Sequence, residues 1–271
     1  MAKKNHLDLG GIEKRIFIGC LLAGLVVMLK LYLDKEAHRR IHDPQYHIVA
    51  IVQTHETSDR VSSGYLAECL DLSCDRPVNL YAFDVEKGRS SLLSNPLIFS
   101  ATLQKIPPGT LHILYRMRQP IGYVGDVTNT AVDQEGVLFP VSPFYSPKKI
   151  PRIFLGLPSE KLSWGTRILD EPIFQRVLAT LQASEGIGLE LIDCSRIEEK
   201  TLGTRELVLH TKEGIFLRIY PDAVEEGFYK WKCFHKAFPE KSQGVLDLRF
   251  HKMGLFYERT GGNTLECGEH R

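Results

Sequence analysis

The first strong pattern in the chain is a long apolar run close to its beginning. The uncharged segment IFIGCLLAGLVVML covers Ile16–Leu29, and after Lys30 the apolar character resumes over Leu31–Leu33. A helix over residues 16–33 measures about 27 Å at about 1.5 Å per residue, slightly less than the hydrocarbon core of a bilayer. The pattern therefore predicts one transmembrane helix, with the Lys30 side chain reaching toward the nearer membrane surface.

A cleaved signal peptide is the alternative interpretation of this run, since Lys14 and Arg15 precede it as in a signal sequence. No small-x-small cleavage site follows, and the next segment is bulky and charged, which favours an uncleaved signal anchor. The numbers of basic residues before and after the run differ little, so charge only weakly favours a cytoplasmic N-terminus. Because residues 1–15 are too few for a domain, we expect them to form a cytoplasmic tail.

Beyond this helix the pattern changes to short strands and helices. Residues 34–46 are charged and contain Pro44, which predicts a juxtamembrane helix and linker. Residues 47–125 then predict five elements in the order strand, helix, helix, strand, strand. These elements are His47–Thr54, Val61–Leu72, Phe83–Leu93, Ile98–Lys105 and Thr110–Met117. We expect the two helices to cover one face of a small three-stranded sheet.

The residues from 126 to 258 predict a second region, a mostly antiparallel β domain with helices on one side. Its predicted helices are Pro172–Leu181 and Tyr229–Phe238. Its predicted strands are Leu189–Asp193, Arg205–His210, Ile215–Tyr220, Val245–Phe250 and Leu255–Glu258, of which the last two form either a pair or one interrupted strand. Residues 259–271 predict a flexible polar tail. The sequence therefore predicts the α+β class, with one membrane helix and two extramembrane domains.

Composition and charge narrow the possible functions. The chain has 34 Lys and Arg residues against 33 Asp and Glu residues, a formal net charge of +1. Such a balance gives no uniform basic field for phosphate binding, so we expect no nucleic-acid partner. Because 43% of the residues are hydrophobic, the chain has enough apolar surface to fold.

Motifs that indicate catalysis or a bound cofactor are missing from the sequence. It contains no G-x-S-x-G, HExxH or Walker loop, and no complete dinucleotide-binding glycine motif. His38 and His42 have helical spacing but no third metal ligand at motif spacing. The scattered carboxylates are expected to be exposed loop charges; they are Asp133, Asp170, Glu171 and Asp193. We therefore expect no enzyme activity, cofactor or metal.

Two cysteines leave a further question open. Cys69 and Cys74 form a C-x4-C pattern across the end of a predicted helix. In an oxidising compartment they could close a small disulfide, and elsewhere they would be ordinary half-buried thiols. The spacing is compatible with both states.

The segment NPLIFSATLQKIPPGTLHILYRMRQPIGYV, residues 95–124, resembles the POTRA-domain signature of the FtsQ/DivIB family of bacterial cell-division proteins. Two positions depart from the family pattern, since Met117 replaces an acidic residue and Gly122 replaces an alanine. The positions in register are Leu92, Pro96, Ile98, Ala101, Leu103, Lys105, Pro108, Thr110, Leu111, Ile113 and Pro120. Within this domain we expect Ile98, Ala101, Leu111 and Ile113 to form core.

The similarity continues into the second region. AVDQEGVLF at Ala131–Phe139 and IPRIFLG at Ile150–Gly156 are similar to family motifs. VLDLRFHKMGLFYER, which starts at Val245, resembles the family's final strand, with Phe250 in place of a tyrosine and one extra residue before Gly254. The resemblance covers roughly residues 14–258.

This resemblance implies a non-catalytic scaffold of the divisome that helps control septal peptidoglycan synthesis. It implies a single-pass protein of the cell inner membrane at the division septum, with a cytoplasmic N-terminus and its bulk outside the cytoplasm. The implied partners are proteins of the FtsB/DivIC and FtsL type, and other septal proteins such as FtsW, FtsI and FtsK are further candidates.

Other function classes remain alternatives. One is a membrane-anchored envelope hydrolase or carbohydrate-binding module with a POTRA-like fold. Another is a POTRA-containing assembly or secretion factor, although such proteins usually carry a cleaved signal and a barrel.

The terminal strand is the predicted partner-binding site, because an edge strand presents unpaired backbone groups to which a partner strand can add. The predicted site residues are Leu248, Arg249, Phe250, His251, Lys252, Gly254, Leu255 and Phe256. In the FtsQ/DivIB family the matching strand is where the FtsB-type partner docks, which implies that Arg249 donates an ion pair and Phe250 is an aromatic anchor. The alternative is that Leu248 and Phe250 are core residues and Arg249 is a solvated charge.

Overall fold

A long N-terminal helix is the first element of the computed structural model, which describes residues 9–56, 59–201, 203–250 and 253–258. This helix, α1, covers Leu9–His42 and so contains the whole predicted membrane span. Its Phe17–His42 part is long and apolar enough to cross a membrane, with a mean hydropathy of 2.0 over its most apolar stretch. A 3-10 turn at Pro44–Tyr46 follows, where a linker was predicted.

The chain divides into two compact units. The first comprises residues 1–54, 62–92 and 101–114, and the second comprises residues 55–61, 93–100 and 115–271.

After α1 the elements follow the predicted order of strand, helix, helix, strand, strand. They are β1 (Ala50–His55), α2 (Ser63–Cys69), α3 (Val85–Ser94), β2 (Ile98–Ile106) and β3 (Thr110–Met117). The side chain of Ser62 accepts a hydrogen bond from the Tyr65 N–H and so caps α2. The three strands form a sheet with the order β1-β3-β2.

Four residues predicted to be core within these strands are buried. Ile98 is 1% exposed, Ala101 is 4% exposed, and Leu111 and Ile113 are fully buried. Leu111 and Ile113 are two positions apart on β3, so their side chains point to the same face, whereas Ile98 and Ala101 are three positions apart on β2. The prediction that they are core residues is confirmed.

The other nine strands form one large sheet with the order β12-β11-β10-β9-β8-β7-β4-β5-β6. The first four strands of this sheet along the chain are short and were not predicted from the sequence: β4 (Gly122–Val124), β5 (Thr130–Val132), β6 (Leu138–Pro140) and β7 (Arg152–Phe154). The remaining strands are β8 (Leu189–Asp193), β9 (Leu207–Thr211), β10 (Ile215–Ile219), β11 (Gly244–Asp247) and β12 (Leu255–Glu258). Three-residue strands have no measurable alternation, which is why the hydrophobic pattern did not reveal them.

This sheet is mixed. Five neighbouring pairs are antiparallel, and the β10–β11, β4–β7 and β7–β8 pairs are parallel. Two of the parallel pairs flank helices, α4 (Pro172–Ala183) between β7 and β8 and α5 (Val224–Ala237) between β10 and β11. A helix between two neighbouring strands carries the chain back to the starting end of the sheet, so these strands run parallel.

One apolar core fills the large sheet's unit. Helix α4 begins with Pro172 at its first position, where the missing N–H costs no hydrogen bond. Its apolar side chains Phe174 and Val177 are fully buried, as are Leu209 and Leu217 on β9 and β10. Phe228 and Trp231 of α5 join the same core, which therefore holds both helices on the central strands.

Candidate functional site

Strand β12 is one of the two outermost strands of the large sheet, and β6 is at the opposite edge. Strand β12 pairs antiparallel with β11, and the pairs run from Gly244 opposite Glu258 to Asp247 opposite Leu255. Among the described residues no strand lies on the other side of β12. Strand β12 is therefore an edge of the sheet, and it coincides with the predicted strand Leu255–Glu258.

The predicted site residues divide between this edge and the connection that leads to it. Leu255 and Phe256 belong to β12, whereas β11 ends at Asp247 and Leu248, Arg249 and Phe250 follow it. The last two predicted strands are thus a pair. Gly254 lies directly before β12, and His251 and Lys252 lie outside the described residues.

Leu248 is a core residue. Its side chain is 4% exposed and belongs to the apolar core, and its N–H donates a 2.8 Å hydrogen bond to the carbonyl of Arg218. Phe250 differs, because 43% of it is exposed. The structure therefore separates the two apolar residues that the sequence grouped together.

Arg249 is held by carboxylates within its own unit. Its Nη2 lies 2.7 Å from Asp247 Oδ2, and its Nη1 lies 3.4 Å from Glu206 Oε2. The same Nη1 donates a 2.7 Å hydrogen bond to the Gly203 carbonyl. Only 17% of the Arg249 side chain is exposed, so this guanidinium is neither a solvated charge nor an open donor.

Two further arginines complete this cluster. Arg218 lies 2.6 Å from Glu206 and 3.4 Å from Asp247, and Arg196 lies 3.5 Å from Glu206. Both carboxylates are almost fully buried, whereas 63% of the Arg196 side chain is exposed. Three arginines surround two carboxylates, so the cluster has an excess of positive charge at its outer side.

The cluster shifts the acidity of its members. Burial disfavours the ionised carboxylate of Asp247, but the hydrogen bonds and charge of Arg249 outweigh it, so the pKa of Asp247 is lower than usual. The hydrogen bond from its side chain to Asp247 raises the pKa of Arg249. The pair is therefore fully ionised at neutral pH.

Exposed apolar side chains surround the edge. Leu255 is 40%, Tyr257 55% and Met253 60% exposed. Leu255 and Tyr257 alternate along β12 and so share one face of the sheet. Together with Phe250 these residues form what we name the edge patch: Phe250, Met253, Leu255 and Tyr257.

A groove of 440 Å³ lies between α5 and the segment that leads into β12. Tyr229, Lys230, Cys233 and Phe234 of α5 line one wall, and Met253 and Gly254 belong to the other. The ammonium group of Lys230 donates a 2.8 Å hydrogen bond to the Phe250 carbonyl and so fixes that segment against α5.

Strand β12 is also fixed along its length. Phe256 points to the core side, with its ring 5.1 Å from that of Phe234, and Lys241 forms an ion pair with Glu258. Gly244 of β11 allows close pairing, because a Cβ there would lie 2.5 Å from the Tyr257 carbonyl oxygen. The edge is thus a preformed, ordered strand.

Sequence reasoning missed several residues of this site. Glu206 and Arg218 lie on or beside β9 and β10, and no local motif marks them as partners of Arg249. Tyr229 and Lys230 were seen only as part of a helix rich in aromatics. Leu255, Phe256 and Tyr257 are all apolar or aromatic, so no alternation in the sequence distinguished the exposed Leu255 and Tyr257 from Phe256 between them.

Side chains that could bind a metal ion are scattered over the described part of the chain. Among the described residues no three His, Cys, Asp or Glu side chains lie together in a way that could hold a metal ion. No disulfide joins Cys69 to Cys74 in the structure, and the buried Cys194 is likewise outside any disulfide among the described residues. Burial raises the pKa of the Cys194 thiol, which keeps it protonated and unreactive.

No model of a known protein family matches the sequence, and no curated protein matches it.

Proposed function

We propose that this protein is a non-catalytic scaffold of the bacterial divisome, of the FtsQ/DivIB type. In this proposal α1 is a single-pass anchor in the inner membrane at the division septum, with its N-terminus in the cytoplasm. The strand, helix, helix, strand, strand order of residues 50–117 supports a POTRA domain. Buried residues of α4 and α5 belong to the same apolar core, which supports a β domain with both helices on one side of its sheet.

The observation that carries the proposal is the edge strand β12. It is preformed, its outer side is unpaired within the described chain, and exposed Leu255 and Tyr257 alternate along it. A partner strand that added there would gain backbone hydrogen bonds without any rearrangement of the sheet, while its alternate side chains covered the edge patch. Such strand addition lets a scaffold bind a partner without catalysing a reaction.

The surroundings of β12 define the chemistry of that partner. The edge patch favours alternating apolar side chains, and the excess positive charge near Arg196 and Arg249 favours an acidic group beside them. We infer a segment of an FtsB/DivIC-type protein, bound alone or together with an FtsL-type protein. Phe250 is the aromatic anchor in this complex.

A paired substitution in β12 tests the proposal. Leu255→Asp with Tyr257→Asp places two charges on the edge patch and leaves the core side of β12 intact, so capture of an FtsB/DivIC-type partner should weaken by about tenfold or more. Binding is measured between the detergent-extracted full chain and the purified partner. Phe250→Ala should weaken it in the same direction, because the substitution removes an exposed ring.

Leu114→Asp is the matched control. Leu114 is 39% exposed, close to the 40% of Leu255, but lies on β3 of the small sheet. The Leu114→Asp variant should bind the partner with the affinity of the wild type. If the double variant melts normally and still binds at wild-type affinity, β12 is not the docking strand and the proposal is wrong.

A further inference from the structure

Helix α1 belongs to the first unit, and hydrogen bonds and ring contacts connect its end to the rest of that unit. The apolar run of α1 ends at Leu33, and the helix continues to His42 as an exposed, mostly charged segment. Nine further residues extend the helix by about 14 Å. A helix end exposed in this way has carbonyl groups without partners in the helix and tends to fray.

Asn79 supplies those partners from a distant part of the chain. Its side-chain Nδ2 donates hydrogen bonds of 3.0 Å to the Arg40 carbonyl and 3.1 Å to the Asp43 carbonyl. Its Oδ1 accepts a 2.8 Å hydrogen bond from the Tyr81 N–H. Asn79 is only 7% exposed, so water competes little for these bonds.

The backbone beside Asn79 adds a second set of bonds. Leu80 N–H donates to the Tyr46 carbonyl at 2.7 Å, and Ile48 N–H donates to the Val78 carbonyl at 2.9 Å. His47 and Asn79 form an antiparallel bridge between these bonds. The turn that follows α1 is therefore paired with residues 78–80 before β1 begins.

Aromatic and cationic side chains meet at the same end of α1. The rings of Tyr46 and Tyr81 meet edge to face at 5.0 Å, and the Arg40 guanidinium lies 5.7 Å from the centre of the Tyr81 ring. Asn79, Tyr81, Arg40 and Tyr46 thus join the last turn of α1 to the rest of the first unit through side chains as well as backbone.

From these contacts we propose that Asn79 locks α1 to the rest of the first unit, so that the membrane helix and the folded part of this unit move as one rigid body. The lock makes residues 34–42 a stiff stalk that holds the unit clear of the lipid headgroups at a fixed height and in a fixed orientation. The inference rests on the membrane anchorage proposed above and is independent of any partner. It assigns Asn79 a positioning role.

The sharpest test is Asn79→Asp in the full chain in lipid nanodiscs. The introduced carboxyl keeps an acceptor for the Tyr81 N–H but loses both hydrogens donated to Arg40 and Asp43. Spin labels attached through noncanonical residues at positions 35 and 76 report the distance between stalk and unit. We expect a narrow distance distribution in the wild type and a broad one in the variant.

Hydrogen exchange gives a second measurement on the same samples. Backbone amides of residues 38–48 should exchange about tenfold faster in Asn79→Asp and Asn79→Ala, because the helix end opens locally, while the core strands of the large sheet keep their wild-type rates. Acid that protonates the introduced carboxyl restores one donor, so the distance distribution of Asn79→Asp should narrow again.

Asn95→Ala is the matched control, since Asn95 also accepts a backbone hydrogen bond, from Leu97 at 3.0 Å, away from α1. It should leave the stalk unchanged. A broad distribution in the wild type, or unchanged distances and exchange in Asn79→Asp, would overturn the lock. A chain that does not insert into nanodiscs would instead overturn the membrane anchorage, and the stalk with it.

Discussion

Asp247 and Arg249 form a two-bonded ion pair across a single intervening residue. Arg249 Nη2 lies 2.7 Å from Oδ2 of Asp247, and Arg249 Nε lies 2.9 Å from Oδ1. The Arg249 N–H also donates to Oδ1 at 3.2 Å. This bond from a backbone N–H to the carboxylate two residues earlier is that of an Asx turn, which follows the end of β11 at Asp247. The pair fixes the path of the chain where it leaves β11.

Removal of the Asp247 charge should destabilise the large sheet's unit. Asp247→Asn leaves the guanidinium of Arg249 without its closest carboxylate in a mostly buried site, and we expect a loss of about 3 kcal/mol in the free energy of unfolding. Thermal melts of the full chain in detergent, followed by tryptophan fluorescence, measure it. Glu213→Gln, which removes the charge of a half-exposed carboxylate 3.4 Å from the His235 ring, should cost less than about 1 kcal/mol.

The same pair predicts how stability depends on pH. Because the pKa of Asp247 is lowered by folding, its carboxylate stabilises the folded state at every pH above the unfolded value of about 3.9. This contribution is lost as the pH falls through the lower folded pKa. The stability gap between wild type and Asp247→Asn should therefore be constant from pH 7 to 5 and shrink below pH 4, and a constant gap down to pH 2 would contradict the assignment.

Gly244→Ala should displace the edge strand. A Cβ at this position would lie 2.5 Å from the Tyr257 carbonyl oxygen and 2.7 Å from the Phe256 ring, so β12 must shift away from β11. We expect faster hydrogen exchange in residues 255–258 and weaker partner capture. Gly64→Ala is the control, because a Cβ there meets nothing closer than 3.9 Å.

Leu111→Ala and Ile113→Ala should each destabilise the first unit by about 2 to 5 kcal/mol, as expected for cavities at fully buried positions. Leu114→Ala, on the same strand but 39% exposed, should have a much smaller effect. Melting temperatures of the three variants compare them directly. An unchanged melt of Leu111→Ala with loss of partner binding would make this face an interface instead of core.

The proposed orientation predicts which side of the membrane carries the folded units. Protease added outside the inner membrane should remove most of the mass, and alkaline phosphatase fused after Arg271 should be active. An inactive phosphatase fusion would reverse the orientation. A mature protein that starts after residue 30 would replace the anchor with a cleaved signal.

The sequence by itself determined the elements whose signal is local. The apolar run at Ile16–Leu29 lies within α1, and it was recognised because an unbroken run of uncharged residues does not depend on the rest of the chain. Strand β3 at Thr110–Met117 was predicted with its observed bounds, since its alternation is set by the one face that it buries. Burial of Leu111 and Ile113 follows from the same alternation.

Tertiary structure alone decided which distant segments meet. The order of the nine strands, and the parallel pairing of β10 with β11, depend on where α5 carries the chain, which no local pattern records. Arg249 has its carboxylate partner Glu206 forty-three residues earlier, and Asn79 bonds to the end of a helix that begins at Leu9. Hydrogen bonds and ion pairs of this kind act over a few ångströms in space and are indifferent to separation along the chain, so they exist only once the chain has folded.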